Sequence, residues 1–526
     1  MEKETNKPSE GTQPPQPQEM GDKAPKEPAP SEKKGAPTNF DNIVFTHKTE
    51  QHDKKLAAKQ VVRIAIVGNV DSGKSTLCSV LTKGIMDDGR GSARVRVFNY
   101  PHEASNGRTS SVGQEIMGWD DKGVQQFAER FVQNKNKYWA EVVSKSSKFV
   151  SLIDLCGHEK YLKTTMLGMV GLVPDYAMII VGANMGISKM TKEHLGISLA
   201  IKLPFFVVMT KVDMVEKVVA DKTIEELKAL LKTNAVNRKP VVVSSDKEME
   251  VCAEAIVSDR ICPIFAISSV SGENVERLTK FIYNLRTRNM FNEMIGSIDD
   301  PVEFDIHERF TVTGVGLVVS GTLRSGTIKI GQVLLCGPDK FKKFRAVTVK
   351  SIHVNRVPEE EAYAGSFCCF SIKALNKKEE LNKADFRKGM CLLAPELDPV
   401  PVWRFEAEVI VLHHATTIKE GYQAVMHCGV VRQTVCIEKM NKEVLRAKDS
   451  DVLAFRFMYH PEFIKKDSRI ILREGRTKIL GVITKVIRPN AEELAQMSTA
   501  QQQPQPNPQP QPTEGVMEDK PEHSHK

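Results

Sequence analysis

Cysteine pairs with the spacing of disulfide or metal motifs are missing from this chain of 526 residues. The ten cysteines are scattered, and none forms a CxxC pair. Small secreted domains are typically held together by closely spaced, paired cysteines. The pattern therefore excludes a secreted disulfide framework, and we interpret the cysteines as free thiols in a reducing compartment.

Long apolar runs are lacking as well. The longest apolar stretches, such as Tyr176–Gly182, are far shorter than the ~20 residues that a membrane-spanning helix needs. The first residues, MEKETNKPSEGTQPP, contain no apolar segment typical of a signal peptide. We therefore expect a soluble intracellular protein with no membrane partner. Its net charge of +8 permits a polyanionic partner without requiring one.

Large apolar residues are also scarce at both ends of the chain. Residues 1–55 are rich in Pro, Lys, Glu and Gln, and residues 491–526 contain the run QQQPQPNPQPQP. Segments of this composition bury too little apolar surface to offset the entropy lost on ordering the chain. We predict two disordered tails around a folded region.

The folded region contains two kinds of sequence pattern. Between residues 56 and 295, buried-strand patterns alternate with helical ones, which predicts an α/β phosphate-loop domain with a doubly wound, mostly parallel sheet. The strand patterns are Val61–Val67, Phe149–Leu155, Tyr176–Val181, Phe205–Thr210 and Ile264–Ser268, and the helical ones are Lys74–Leu81, Glu193–Ile201, Ile224–Leu231 and Val275–Leu285. Beyond this region, short Val/Ile/Thr-rich runs predict two small β-barrels, at residues 296–400 and 401–490.

A glycine-containing loop follows the first strand pattern and matches G-x-x-x-x-G-K-[ST]. The residues that we expect to contact the nucleotide there are Gly68, Asn69, Val70, Asp71, Ser72, Gly73, Lys74, Ser75 and Thr76. Between a strand and a helix, the backbone N–H groups of such a loop surround phosphate groups. We expect Lys74 to reach the β- and γ-phosphates and the Ser75 hydroxyl to bind Mg²⁺.

Two later loops predict that the base is guanine. In Thr210-Lys211-Val212-Asp213, the Asp213 carboxylate can accept from N1–H and from the 2-amino group of guanine together, which adenine cannot match. The Lys211 stem can lie along the base plane. Backbone N–H groups of Ser268, Ser269 and Val270 can meet the guanine carbonyl oxygen. The predicted ligands are therefore GTP and GDP.

The stretch Asp154-Leu155-Cys156-Gly157 ends a strand pattern and fits a DxxG motif. We expect Asp154 to hold Mg²⁺ through water and the Gly157 N–H to contact the γ-phosphate. His158 follows directly, and no glutamine occupies the place where other GTPases carry one. We interpret His158 and Lys74 as catalytic residues, with His158 orienting the attacking water. The alternative is a surface histidine without a catalytic task.

One segment between these motifs must cover the metal, and the best candidate is Gly107-Arg108-Thr109-Ser110-Ser111. Thr109 and Ser111 are both candidates for the hydroxyl that binds Mg²⁺, and the residues alone do not decide between them. A plain polar turn is the alternative. No residue stands out as an arginine finger, so we expect slow intrinsic hydrolysis that a partner stimulates.

These motifs resemble those of the translational GTPases. GNVDSGKST, DLCGHEKYLKTT and TKVD are similar to motifs of elongation factor Tu and elongation factor 1-alpha, and FTVTGVGLVVSGTLRSGTIKIG resembles their first β-barrel. GRTSSVG and MTKEHL are similar to the GTP-binding protein 1 family. The resemblance covers residues 61–490. Cys156 departs from it, since the elongation factors have proline at that place.

The resemblance implies a function beyond nucleotide binding. It implies a cytoplasmic, monomeric GTPase that acts on or near the ribosome with aminoacyl-tRNA, in translation elongation, rescue or mRNA surveillance. The alternative is a GTP-switched adaptor that recruits RNA-decay factors and has little turnover of its own.

Overall fold

A computed structural model describes residues 61–129, 134–287, 295–339, 342–376, 381–475 and 477–488. These residues all fall within one compact unit, Asn39–Lys526. The predicted disordered tails, residues 1–55 and 491–526, lie outside the described residues.

The first part of the described chain is an α/β domain. Its strands are β1 (Val61–Gly68), β2 (Gly113–Trp119), β3 (Gln125–Gln126), β4 (Lys148–Asp154), β5 (Tyr176–Gly182), β6 (Phe205–Thr210), β7 (Lys239–Val242) and β8 (Ile261–Ala266). They form one sheet in the order β3-β2-β4-β1-β5-β6-β8-β7. All pairs from β4 to β7 are parallel, and β2 and β3 add an antiparallel edge.

Helices cover both faces of this sheet. They are α1 (Lys74–Lys83), α2 (Ser92–Val95), α3 (Pro101–Asn106), α4 (Lys135–Lys145), α5 (Leu162–Val170), α6 (Lys189–Ala200), α7 (Lys217–Lys232), α8 (Asp246–Ala255) and α9 (Val275–Asn284). One core joins Ile64 and Ile66 of β1 to apolar side chains of α1, α8 and α9. A second core, on the other face, joins Ala65 and Val67 to α5, α6 and α7. The predicted doubly wound sheet is confirmed.

Some boundaries differ from the sequence patterns. Helix α6 begins at Lys189 rather than Glu193, because the Ser188 side chain caps it by accepting from the Thr191 N–H. Helix α7 begins at Lys217 rather than Ile224. Its first turn is mostly exposed, so the sequence there lacks the helical spacing of buried apolar residues on which the prediction relied. The strand placed at Ile264–Ser268 is Ile261–Ala266.

The next part of the chain folds into a first β-barrel. Its strands are β9 (Glu303–Val312), β10 (Gly316–Ser325), β11 (Thr327–Lys329), β12 (Val333–Gly337), β13 (Arg345–Val354), β14 (Val357–Glu359), β15 (Glu361–Tyr363), β16 (Phe367–Ala374) and β17 (Cys391–Leu393). Six of them close in the order β12-β17-β9-β10-β16-β13, because β13 pairs back onto β12. Strand β14 extends β13, and β11 pairs with β15.

A second barrel follows. Its strands are β18 (Arg404–His413), β19 (Gln423–Cys428), β20 (Val431–Lys439), β21 (Ser450–Phe457), β22 (Arg469–Glu474) and β23 (Thr477–Ile487). They close in the order β18-β21-β20-β19-β22-β23. Alternate residues of β18, including Phe405, Ala407 and Val409, face the core, as the period of a half-buried strand requires. Both predicted barrels are confirmed.

Polar side chains join these parts. Arg63, only 4% exposed at the start of β1, donates to the carbonyl oxygens of Leu172 (2.9 Å) and of Gly365 in the first barrel. Two cations of the second barrel, Arg473 and Lys478, pair with Glu193 of α6. The barrels are joined by Arg387, whose guanidinium binds both carboxylate oxygens of Glu462, at 3.0 and 2.6 Å. No helix in the described ranges combines the length and apolar character of a bilayer span.

Candidate nucleotide site

Every predicted motif lies at one edge of the sheet. The phosphate loop follows Gly68 at the end of β1, and Asp154 ends β4. Thr210 ends β6, and the loop that contains Ser268 follows β8. Because these strands are parallel and neighbour one another across β5, their carboxyl ends meet in the crevice where open α/β sheets bind ligands.

The phosphate loop has a backbone that only particular residues tolerate. A Cβ at Gly68 would lie 2.4 Å from the Ile180 carbonyl oxygen, so the loop can leave β1 there only with glycine. Gly73 has a φ of 86°, in the left-handed region that favours glycine. The Ser72 carbonyl accepts from the Thr210 hydroxyl at 2.7 Å. Thr210 therefore joins the phosphate loop to the strand that carries the guanine motif.

Lys74 lies buried at the base of this loop. Its Nζ donates to the Asn69 carbonyl oxygen at 2.6 Å. Burial lowers the pKa of Lys74, and the negative charge of Asp154 opposes this shift. A Cβ at position 157 would lie 2.5 Å from Nζ, so Gly157 allows the DxxG segment to pass close to the lysine. Phosphate oxygens can thus be met by the ammonium and by the Gly157 N–H from adjacent positions.

Three side-chain oxygens converge next to Lys74. The Ser75 hydroxyl donates to Asp154 Oδ2 at 2.6 Å and lies 2.7 Å from Thr109 Oγ1. Thr109 Oγ1 is 3.5 Å from the same carboxylate oxygen. Asp154 Oδ1 is buried and has no hydrogen-bond partner among the described residues. Burial raises the pKa of Asp154 to about 6, against the opposing effects of the Ser75 hydrogen bond and the Lys74 charge. Hydroxyl and carboxylate oxygens are the donors that Mg²⁺ prefers, so this set fits that ion.

Ser111, the other candidate for the metal hydroxyl, lies elsewhere. Its hydroxyl and its N–H both donate to Glu103 Oε1, each at 2.9 Å. The N–H of Ser110 donates to the same oxygen at 2.7 Å. Burial alone would raise the pKa of Glu103, but hydrogen bonds from Ser110, Asn99 and Ser111 outweigh it and lower the pKa. The structure therefore brings Thr109, and not Ser111, to Ser75.

Glu103 is a functional residue that sequence reasoning missed. It lies in the first turn of α3, where its Oε2 accepts from the N–H groups of Asn99 and Tyr100, at 3.0 and 3.3 Å. A glutamate three residues after the start of a short helical segment is a typical helix-capping signal. That signal was present in the sequence, but its link to the segment around Thr109 depends on the fold.

The DxxG segment is held by two side chains and leads into His158. The Cys156 thiol donates to the Ser111 carbonyl oxygen at 3.4 Å, and the Thr165 hydroxyl donates to the Cys156 carbonyl at 2.8 Å. Burial raises the pKa of Cys156 to about 12. His158 is exposed, and its Nδ1 accepts from the Lys160 N–H at 3.0 Å. A neutral ring with Nδ1 as acceptor carries its proton on Nε2, which is then a donor.

A cavity of about 330 Å³ connects these groups. It is lined by the phosphate loop, by residues 106–110, by Arg94 and His102, and by Gly157, His158, Lys160 and Tyr161. Lys74, Ser75, Thr109 and His158 thus share one space. Two arginines in this lining, Arg94 and Arg108, were not predicted as site residues.

The guanine segments lie beyond the lining of this cavity. Lys211 has a φ of 63°, and the Asp213 side chain after it is exposed at the end of β6. The Ser268 hydroxyl accepts from the N–H groups of Val270 and Ser271, at 3.1 and 3.0 Å, and so shapes the neighbouring loop. The two segments adjoin because β6 pairs with β8. Their contacts with a base remain predictions.

Comparisons with known proteins agree with this geometry. Residues 59–287 match the family model described as "Elongation factor Tu GTP binding domain". The chain is 45% identical to GTP-binding protein 1 of Xenopus laevis over 427 residues, which cover 81% of this chain and 64% of the relative. The chain therefore spans less than two thirds of that relative. It is 40% identical to GTP-binding protein 2 of Mus musculus over 453 residues, covering 85% of this chain and 73% of the relative.

The fold is also similar to that of a solved structure. A crystal structure of a bacterial selenocysteine-specific elongation factor aligns with 80% of this chain and 58% of its own, with a TM-score of 0.58 and 19% sequence identity. At that identity the likeness concerns the arrangement of the sheet domain and barrels alone.

Proposed function

The chain belongs to the family of GTP-binding proteins 1 and 2 within the translational GTPases, and from this premise we propose that it hydrolyses GTP as a translation factor on the ribosome. One observation carries the enzymatic part of the proposal. Ser75, Thr109 and Asp154 meet within hydrogen-bond distance beside Lys74, which is the arrangement that phosphoryl transfer requires.

The reaction uses groups that line one cavity. A water oxygen bonds to the γ-phosphorus, the bond from that phosphorus to the β–γ bridging oxygen breaks, and GDP leaves with that oxygen and its electron pair. One proton of the water stays on the oxygen that now belongs to phosphate, and the other passes to a phosphate oxygen or to solvent. Lys74 and the Gly157 N–H bind phosphate oxygens, and His158 orients the water and the phosphate through its Nε2–H. Ser75, Thr109 and Asp154 would hold Mg²⁺, which would supply positive charge to offset the negative charge of the phosphates.

Base selection follows from position 213. A carboxylate that accepts from N1–H and the 2-amino group of guanine loses both bonds with adenine. An unpaired acceptor in the base site costs about 1–3 kcal/mol or more when it is charged, which favours GTP and GDP strongly.

Aminoacyl-tRNA and the ribosome are the proposed partners. The sheet domain followed by two closed barrels is the arrangement of the selenocysteine-specific elongation factor, and that protein is by its name an elongation factor. The proposed setting is the cytoplasm, where a monomer would act in elongation, rescue or mRNA surveillance.

A GTP-switched adaptor for RNA-decay factors is the second candidate. It is supported by the state of His158, whose ring is exposed and bound to the Lys160 N–H rather than enclosed by other groups. An imidazole in that position contributes little until a partner orders it, so turnover by the isolated protein would be slow.

A single-turnover GTP hydrolysis assay with and without ribosomes separates the two candidates. We expect ribosomes to accelerate hydrolysis by the wild-type protein and His158→Ala to remove the acceleration. His413→Ala is the matched control, because His413 is also exposed but lies on the second barrel. Hydrolysis that ribosomes leave unchanged would favour the adaptor.

A second experiment addresses the RNA partner. Pulldown of ribosomes and of charged tRNA is compared between protein loaded with a GTP analogue and protein loaded with GDP. We expect capture of both with the analogue only. Capture of ribosomes without tRNA would exclude tRNA delivery.

A further inference from the structure

We propose that Arg108 is a further catalytic residue, an arginine supplied by the chain itself that neutralises charge on the γ-phosphate during hydrolysis. This inference rests on the proposed function and adds a residue to it. The sequence offered no arginine finger, because nothing in the pattern around residue 108 places its side chain at the phosphates.

The location of Arg108 is the first observation. It directly precedes Thr109, whose hydroxyl lies 2.7 Å from the Ser75 hydroxyl. The Arg108 side chain lines the same cavity as Lys74, Gly157 and His158. It is therefore within the space that a γ-phosphate and its attacking water would share.

The present partner of Arg108 is the second observation. Its Nη2 lies 3.7 Å from Oδ2 of Asp71 in the phosphate loop, and the two side chains are 60% and 50% exposed. An ion pair this exposed and this long contributes little to stability. The guanidinium can leave Asp71 at small cost and bind phosphate oxygens, which accept from its N–H groups in a bidentate fashion.

The rigidity of the surrounding backbone is the third observation. Glu103 holds the two residues beyond Thr109 by accepting from the N–H groups of Ser110 and Ser111. On the other side, Gly107 has a φ of 64° and faces the Arg94 guanidinium, which would lie 2.9 Å from a Cβ at that position. The backbone on both sides of Arg108 is thus held by contacts within the loop, while among the described residues the side chain itself is held only by its exposed ion pair with Asp71.

Arg94, the other arginine in the cavity, has a different task. A Cβ at Gly91 would lie 2.7 Å from Arg94 Nε, and a Cβ at Gly107 would lie 2.9 Å from its Nη2. The guanidinium therefore lies between the backbone at Gly91 and the backbone at Gly107 and separates them. Arg108 is therefore the better candidate for contact with the phosphate.

The chemical role follows from the balance of the reaction. As the bond to the β–γ bridging oxygen breaks, negative charge grows on that oxygen and stays spread over the γ-phosphate oxygens. A second cation that binds the γ-phosphate oxygens beside Lys74 stabilises this distribution more than it stabilises bound GTP. The arginine changes the rate of the step and leaves its products, GDP and phosphate, the same.

The test compares Arg108→Ala, Arg108→Lys and Arg90→Ala in the full chain. Arg90 is the matched control, because it is exposed on the same stretch of chain and does not line the cavity. Single-turnover hydrolysis is measured with and without ribosomes, and GTP and GDP affinities are measured with fluorescent analogues. A third measurement is capture of GDP with aluminium fluoride, which mimics the transferring phosphate.

We expect Arg108→Ala to slow hydrolysis by about 100-fold or more while GTP affinity changes by less than about threefold. Arg108→Lys should recover part of the rate, and Arg90→Ala should match the wild type. Arg108→Ala should also lose capture of GDP with aluminium fluoride. An arginine that only supported the loop would not combine slower hydrolysis and lost capture of GDP with a nearly unchanged GTP affinity.

Three outcomes overturn the inference. Hydrolysis by Arg108→Ala at the wild-type rate would remove Arg108 from catalysis and leave the proposed GTPase intact. Equal losses of GTP affinity and of rate would assign it to binding alone. Absence of hydrolysis by the wild-type protein, with and without ribosomes, would overturn the proposed function together with this residue.

Discussion

The hydroxyl oxygens of Ser75 and Thr109 lie 2.7 Å apart although 34 residues separate them in the chain. Both also face Oδ2 of Asp154, which lies on a third segment. A site assembled from three segments depends on the loop that contributes Thr109, because the other two are fixed by the sheet. We expect that loop to be the element through which nucleotide state changes the protein.

Thr109→Ala should weaken GTP binding in the presence of Mg²⁺ by about tenfold or more, since it removes one of the three oxygens that we propose to bind the ion. GDP affinity should change less, because the loop is expected to close on the γ-phosphate form. Titration of a fluorescent GTP analogue against Mg²⁺ measures the effect. Ser111→Ala is the control, and an equal loss in that variant would contradict the assignment of Thr109.

Glu103→Gln should loosen the loop without removing any predicted ligand. A glutamine presents an amide N–H₂ to groups that are donors, so some of the hydrogen bonds at Glu103 are lost, at about 0.5–1.5 kcal/mol each for donors that are only partly buried. We expect faster amide hydrogen exchange at residues 107–112 and slower GTP hydrolysis. Glu225→Gln, on the exposed face of α7, should leave both unchanged.

Unaltered exchange at residues 107–112 in the Glu103→Gln variant would show that the loop is held by other contacts. The Cys156 thiol, which reaches the Ser111 carbonyl oxygen, is the nearest of these.

Asp213→Asn should change base preference rather than abolish binding. Asparagine offers an N–H₂ donor where the carboxylate accepts, which suits the carbonyl at position 2 of xanthine better than the amino group of guanine. We expect at least about 100-fold weaker GTP binding and a gain in xanthosine triphosphate binding. Competition between the two nucleotides measures the change. A variant that retains its guanine preference would refute the role of Asp213.

His307 should make the protein sensitive to acid. Burial lowers the pKa of His307 to about 3, and the charges of Arg63 and Arg324 add to this. The unfolded chain takes up a proton below about pH 6.5, whereas the folded chain takes it up only near the lowered pKa. Stability from this group is therefore complete above pH 6.5 and falls by about 1.4 kcal/mol per pH unit as the pH drops towards 3.

His307→Gln should remove the part of the pH dependence of the free energy of unfolding that His307 causes. Urea unfolding at pH 7, 6 and 5 measures this dependence. His353→Gln serves as the control, because His353 belongs to the same barrel and is exposed. Identical slopes in the His307 variant and the wild type would mean that His307 is protonated or solvated in the folded protein.

Local motifs were predictable from the sequence because their chemistry resides in contiguous residues. The phosphate loop and the Asp213 motif each combine a buried strand with a short loop, and the structure places both at the expected edge of the sheet. The choice between Thr109 and Ser111 was not predictable, since Glu103 from α3 decides which hydroxyl faces inward.

Strand β2 was also missed, for a physical reason. Its sequence, GQEIMGW, contains two glycines and a glutamate, which breaks the apolar pattern of a buried strand. Glu115 is nonetheless only 2% exposed, because Lys83 and Lys135 pair with it at 3.1 and 2.7 Å. Those partners come from α1 and α4, which are distant in sequence. The positions of Arg94 and Arg108 in the cavity were likewise not predictable, because the cavity is formed by segments that are distant in sequence.

The buried guanidinium of Arg63 implies that the two barrels differ in how freely they can move relative to the sheet domain. Moving the first barrel away would leave the buried Gly365 carbonyl oxygen without its donor, whereas the acidic side chain of α6 that pairs with the second barrel can exchange its partners for water. The barrel nearest Gly365 should therefore travel with the phosphate-loop strand. We expect the second barrel to separate from the sheet domain first when the γ-phosphate departs, while the pair of Arg387 and Glu462 keeps it attached to the first barrel.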